Sequence, residues 1–177
     1  MDEVLLLQDL GVERELVESR FSSILPGCRL VWNDVGGECP GNLGSLEYLV
    51  TVDTPVPGKV MRESNLRMIS VAFTGYDHID LKSARESGIA VANVPGYASQ
   101  SVAELVILLT LSLIRKVKRA DYLVREVRWD EAETGEELAG KTVGIVGTGR
   151  SGLSAARLFA AFGCRLLGYS RTESPKF

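Results

Sequence analysis

The chain has 177 residues, a formal net charge of −3 and 45% hydrophobic residues. That balance suits a globular α/β protein with one large domain or parts of two, and the acidic net charge argues against nucleic acid, which favours a basic surface. Three cysteines, Cys28, Cys39 and Cys164, are odd in number and lack CxxC spacing, which argues against a zinc site or a disulfide framework and fits a reducing, cytoplasmic location. Met1 is followed by Asp2 and Glu3, so no signal peptide is expected. The longest apolar run, 105–114, is well short of the ~20 residues a membrane span needs, and reads as a buried core or interface helix.

Taken in order, residues 4–7 read as a strand. Residues 12–24 read as a helix with Val12, Leu16, Val17, Phe21 and Ile24 on one face, ended by Pro26 and Gly27. Strands follow at 29–32 and 48–52, with loops marked by Gly36, Gly37, Pro40, Gly41 and Gly44. Residues 66–73 are a further strand. Asp80 is placed to cap a short helix through Glu86 that Gly88 stops, before a strand at 89–94. Strands alternating with helices predict a parallel sheet with crossover helices.

Pro95-Gly96 interrupts this alternation and reads as a hinge between two domains, 1–95 and 96–177. A long helix is expected over about 99–127. The basic run Arg115, Lys116, Lys118, Arg119, Arg125 and Arg128, broken by Asp121 and Glu126, reads as its solvated face. A strand at 142–146, a helix at 150–162 and a strand at 165–169 complete the chain.

Gly147-Thr148-Gly149-Arg150-Ser151-Gly152 is GxGxxG. Its position directly after a strand and at the opening of a helix is what a dinucleotide site requires. Gly147 permits the tight turn, Gly149 lets backbone approach a pyrophosphate, and Gly152 lets helix and strand pack closely. The phosphates then lie at the positive helix end, where Arg150 can add a contact. Residues 135–142 also match the P-loop pattern, but Gly140-Lys141-Thr142 leads into a strand rather than a helix, and Glu136 and Glu137 would put negative charge in the phosphate cradle. That match is rejected. At the end of the second strand, Ser170, Arg171 and Thr172 precede the first carboxylate, Glu173. Two hydroxyls and a guanidinium suit the 2′-phosphate of NADP better than the ribose of NAD, which usually meets an acidic residue there. NADP is therefore favoured, with NAD the alternative.

Four ordered motifs carry a resemblance: residues 73–80 (Phe-Thr-Gly-Tyr-Asp-His-Ile-Asp), Asn93-Val94-Pro95-Gly96, Ser101-Val102-Ala103-Glu104 and residues 138–147 (Leu-Ala-Gly-Lys-Thr-Val-Gly-Ile-Val-Gly). Together they resemble the D-isomer-specific 2-hydroxyacid dehydrogenases, and among them the glyoxylate, hydroxypyruvate and glycerate reductase branch. The resemblance implies a flavodoxin-like substrate domain, 1–95, followed by the first part of a Rossmann dinucleotide-binding domain, 96–177. It implies that the amides of Thr74 and Gly75 hold a substrate carboxylate, that Val102 lies near the nicotinamide, and that the helix from Ser99 contributes to a homodimer. The implied activity is reduction of a small 2-keto acid to the D-2-hydroxy acid with NAD(P)H. The Arg, Glu and His that such enzymes use for catalysis match nothing in this chain, so the expectation is an N-terminal portion, inactive by itself. His78, the only histidine, reads as a turn or cap residue, as do Asp77 and Asp80. The alternative is a complete, non-catalytic nucleotide-binding or dimerising module.

Overall fold

The structure, a computed structural model, describes residues 2–34, 37–172, 175 and 177. The chain divides into two compact units, 1–95 and 96–177, and the boundary falls at the Pro95-Gly96 pair.

Unit 1 runs β1 (Asp2–Leu6), α1 (Arg14–Ile24), β2 (Cys28–Trp32), β3 (Tyr48–Thr51), α2 (Gly58–Arg62), β4 (Met68–Val71), α3 (Leu81–Glu86) and β5 (Ala90–Asn93). Its five strands are all parallel in the order β2-β1-β3-β4-β5. That is the flavodoxin-like doubly wound order, whose switch point lies between β1 and β3. The interior strands are short apolar runs because a parallel sheet is covered on both faces. Leu5, Leu7, Leu49, Ile69 and Val71 pack with Val60, Met61 and Ala84 of α2 and α3 in one core.

The Asp80 cap forms as the sequence suggests. Its carboxylate accepts from the Ser83 amide at 3.0 Å and from Ser83 Oγ at 2.7 Å, and Gly88 follows the helix with a positive φ of 70°. Those Ser83 bonds, backbone first, hold the Asp80 carboxyl below its usual range. Arg62 of α2 donates to the same Ser83 Oγ at 2.6 Å, tying α2 to α3. Helix α2 carries no clear sequence signal: five residues are too few to show a period.

Helix α1 begins at Arg14, after Val12, and has no buried residue; Leu16 and Ile24 of its apolar face are exposed. A periodic stripe shows that a face can be buried, not that a neighbour covers it. One expectation needs correction: the long helix over 99–127 is two helices, α4 (Ser99–Ile114) and α5 (Val117–Arg125). Lys116 between them adopts a left-handed conformation at φ 53°, ψ 36°. The break is held from twenty residues further on, where the Glu136 amide donates to Ile114 O at 2.9 Å. Gly135 lies so close to the Arg115 Cα and the Ile114 carbonyl that a β-carbon there would collide with both. Lys116 pairs with Glu133 and holds that carboxyl below its usual range.

Unit 2 continues with a short 3-10 turn (Trp129–Glu131), β6 (Thr142–Val146), α6 (Arg150–Ala161) and β7 (Arg165–Tyr169). β6 and β7 pair in parallel as a two-stranded sheet. One face, with Val143 and Leu166, packs on Ala103 and Ile107 of α4 and on Ala155 and Phe159 of α6. The basic residues at 115–128 are exposed, and Arg125 and Arg128 pair with Asp121 and Glu131.

Candidate functional site

The strand-to-helix turn of unit 2 is built as a phosphate loop would be. Gly147 ends β6 at φ 101°, a conformation that strongly favours glycine, and its amide donates to Tyr169 O at 2.7 Å, fixing the turn against β7. Gly149 is the N-cap of α6 in an extended conformation, with no side-chain cap. The first-turn amides of α6 are therefore open to an acceptor from outside the helix. A β-carbon at Gly147 or at Gly149 would meet only open space, whereas one at Gly152 would collide with the Gly147 carbonyl oxygen. So two glycines leave room on the outer side of the turn, and the third lets helix and turn close. This amide-lined space on the outer side of the turn fits a pyrophosphate.

Around it, Thr148 is buried, and Arg150 and Ser151 are exposed. The Arg150 stem lies over Gly96, where a β-carbon would come within 3.1 Å of Arg150 Cδ. Ser170, Arg171 and Thr172 follow the carboxyl end of β7 beside the loop, with the Ser170 hydroxyl donating to the Thr172 carbonyl. Arg171 is exposed and has no ion-pair partner among the described residues. Glu173 lies outside the described residues. Val102 is half-exposed in the first turn of α4, its amide bonded to Ala98 O at 2.9 Å.

In unit 1, Thr74 and Gly75 sit in the loop that leaves β4 at the carboxyl end of the sheet. Thr74 Oγ1 donates to Val94 O at 3.2 Å, and Asn93 Nδ2 donates to Thr74 O at 2.8 Å. These bonds pin the loop to the end of β5. The amides of Thr74 and Gly75 have no acceptor among the described residues. A loop held by its side chains and carbonyls, with unspent amides, can receive an anion. His78 lies in the adjoining turn, closed by the Ile79 amide on Tyr76 O at 3.0 Å, and its Nε2 is buried without a hydrogen-bond partner among the described residues.

The neighbouring β3 loop holds a feature the sequence did not flag. Gln8, just beyond β1, reaches the 52–54 segment, which is 44 to 46 residues away. A lone glutamine after a strand has no periodic or motif signature, so only the fold reveals it. Among the described residues no group of three or more histidine, cysteine, aspartate or glutamate side chains could hold a metal, and no helix is long and apolar enough to cross a membrane.

Comparison with known proteins places these features in a family context. The family model of the D-isomer specific 2-hydroxyacid dehydrogenase catalytic domain matches residues 46–172. A D-lactate dehydrogenase of Streptococcus agalactiae is 37% identical over 118 residues, 66% of this chain and 36% of that protein. A glyoxylate reductase of Thermococcus litoralis is 36% identical over 141 residues, 74% of this chain and 43% of that protein. The chain thus spans less than half the length of these two curated relatives. The crystal structure of the Aquifex aeolicus D-lactate dehydrogenase, complexed with NAD and lactic acid, shares the fold with a TM-score of 0.80 at 24% identity, over 98% of this chain and 53% of that one.

Proposed function

We propose, because this chain belongs to the D-isomer specific 2-hydroxyacid dehydrogenase family, that the whole protein reduces a small 2-keto acid of the glyoxylate or hydroxypyruvate kind to its D-2-hydroxy acid with a nicotinamide dinucleotide. The observation that carries the reading is the β6–α6 turn, with Gly147 at positive φ, open space at Gly147 and Gly149, and Gly152 closed on the Gly147 carbonyl. A dinucleotide supplies a hydride when bound. The amides at the start of α6 hold its pyrophosphate against the positive helix end, with Arg150 beside them. Arg171, with the hydroxyls of Ser170 and Thr172, receives a 2′-phosphate, which makes NADPH the preferred form. Val102 packs near the nicotinamide. The free amides of Thr74 and Gly75 hold the substrate carboxylate, and a carboxylate accepting two backbone amides stays ionised and oriented.

No described residue is assigned the part of the proton donor. His78 keeps the turn reading, since its Nε2 is buried rather than presented to a substrate. The exposed apolar side of α4, with Leu105, Leu108, Leu109 and Leu113, suits a second copy of the protein; sedimentation showing only a monomer would remove that assignment.

The test is spectrophotometric. The whole protein should oxidise NADPH with glyoxylate or hydroxypyruvate, and the 177-residue polypeptide by itself should not. Failure of the whole protein on every small 2-keto acid overturns the reading. Turnover by the 177-residue polypeptide that is lost in His78→Ala would move the proton-donor role to His78.

A further inference from the structure

Gln8 stands just beyond β1, and its Oε1 accepts from three successive amides of the loop that leaves β3: Val52 at 3.3 Å, Asp53 at 3.3 Å and Thr54 at 2.8 Å. Its Nε2 donates to Asp53 Oδ1 at 2.6 Å. No other acceptor takes these three amides among the described residues. Below the loop, the fully buried Thr51 donates its hydroxyl to Thr54 O at 2.9 Å. The loop therefore takes its shape from one distant side chain, used as both acceptor and donor.

The place matters. β1 and β3 are sequence-distant neighbours on either side of the switch point, and ligands of such sheets lie outside the carboxyl ends of the strands there. The Gln8-held loop is at that end. It is one strand from the Thr74–Gly75 loop, and the Ala72 amide donates to Thr51 O at 2.7 Å, tying the two strand ends together.

We infer that Gln8 is a positioning residue. It sets the 52–54 loop as the wall beside the carboxylate-holding amides and keeps the Asp53 carboxylate turned onto its own amide, away from an anionic substrate. This rests on the proposed 2-keto acid reduction. In that reaction the carboxylate is held at Thr74–Gly75, so the neighbouring loop meets the rest of the substrate. Val52 and Asp53 then decide which 2-keto acid side chains fit. Releasing the Asp53 carboxylate from the Gln8 amide frees its charge to turn toward an anionic substrate, which weakens binding.

The test uses the whole protein with glyoxylate and with the bulkier 4-methyl-2-oxopentanoate. Gln8→Ala should raise KM for glyoxylate about 10-fold and change kcat less than about 2-fold, the pattern of lost binding rather than lost chemistry. It should shift the kcat/KM preference toward the bulkier acid and leave cofactor affinity unchanged. Gln8→Glu should be worse, because two carboxylates then face each other. Adding Asp53→Asn to Gln8→Glu should restore the unchanged protein's preference, since donor and acceptor are merely exchanged. Unchanged KM and preference in Gln8→Ala would overturn the inference, as would equal losses for both acids with no recovery in the double variant. If the unchanged protein reduces no 2-keto acid, the functional reading fails instead. The anchoring is then decided by amide exchange at 52–54 alone, which Gln8→Ala should accelerate.

Discussion

Leu49 and Ile69, in neighbouring strands of unit 1, are 1% and 0% exposed; Val146, at the end of β6 in unit 2, is 86% exposed, and Tyr169 opposite it is 68% exposed. All four lie in short apolar strands of parallel sheets, and by sequence pattern the strands look alike. The difference is what stands around them. In unit 1, Ile69 lies in β4, between β3 and β5, with helices packed on the sheet. In unit 2, the two-stranded sheet rests one face on α4 and α6, and the alternate side chains of β6 and β7 are exposed. An apolar strand states a capacity for burial; neighbouring strands and helices determine how much of it is realised. The exposed edges and face of β6 and β7 are also the features that invite pairing with another chain.

The largest expected contrast is in stability. Ile69→Ala removes a fully buried side chain and should destabilise unit 1 by about 2–5 kcal/mol, whereas Val146→Ala should stay within about 0.5 kcal/mol. Amide exchange resolved by unit should show the same order, faster over 142–169 than over 48–71. Equal cost at the two positions would mean that Val146 is covered in solution.

Within unit 2, Gly152→Ala tests whether the open turn serves a ligand. The added β-carbon meets the Gly147 carbonyl, so the turn must shift and dinucleotide affinity should fall on the order of 100-fold, a transfer of tight-packing cost into binding. Calorimetric titration of the whole protein with NADPH and NADH checks it, and unaltered affinity for both would remove the pyrophosphate assignment.

Arg171→Ala should be smaller and selective. A charge-assisted bond to phosphate is worth roughly 1.5–3 kcal/mol, so NADPH binding should weaken about 10-fold to 100-fold while NADH binding barely changes. Equal losses for the two would show that Arg171 does not read the 2′-phosphate.

The smallest effect is the acid dependence of unit 1. The Asp80 carboxyl is held below its ordinary range, first by the Ser83 amide and then by the Ser83 hydroxyl. Its contribution is therefore fully present above the unfolded carboxylate's pKa of about 3.9 and is lost as pH falls through the lower folded value. Denaturation midpoints of the unchanged protein and of Asp80→Asn should differ at neutral pH and converge in acid. A gap that persists in strong acid would assign the effect to something other than the charge.

Local chemistry was legible. The β6–turn–α6 unit could be read because an apolar run, a glycine at a required positive φ and a helical period are properties of adjacent residues. The Asp80 cap and Gly88 stop were legible for the same reason, since their partners lie within a few positions. Helix α2 was not, because one turn and a half is too short for a period and is held by Arg62 reaching Ser83.

By itself, then, the sequence determined the alternation of strands and helices, the phosphate-loop turn and the side chains offered at the ends of β4 and β7. Tertiary structure alone decided three things. It set the 2-1-3-4-5 strand order that brings the β3 and β4 loops to one end of unit 1. It broke the helix at Lys116, where Gly135 and Glu136 fold back on Ile114. It put Gln8 in command of residues 52–54. In each case the deciding atoms are twenty or more residues apart, and a hydrogen bond or a steric contact acts only once the fold has carried them together.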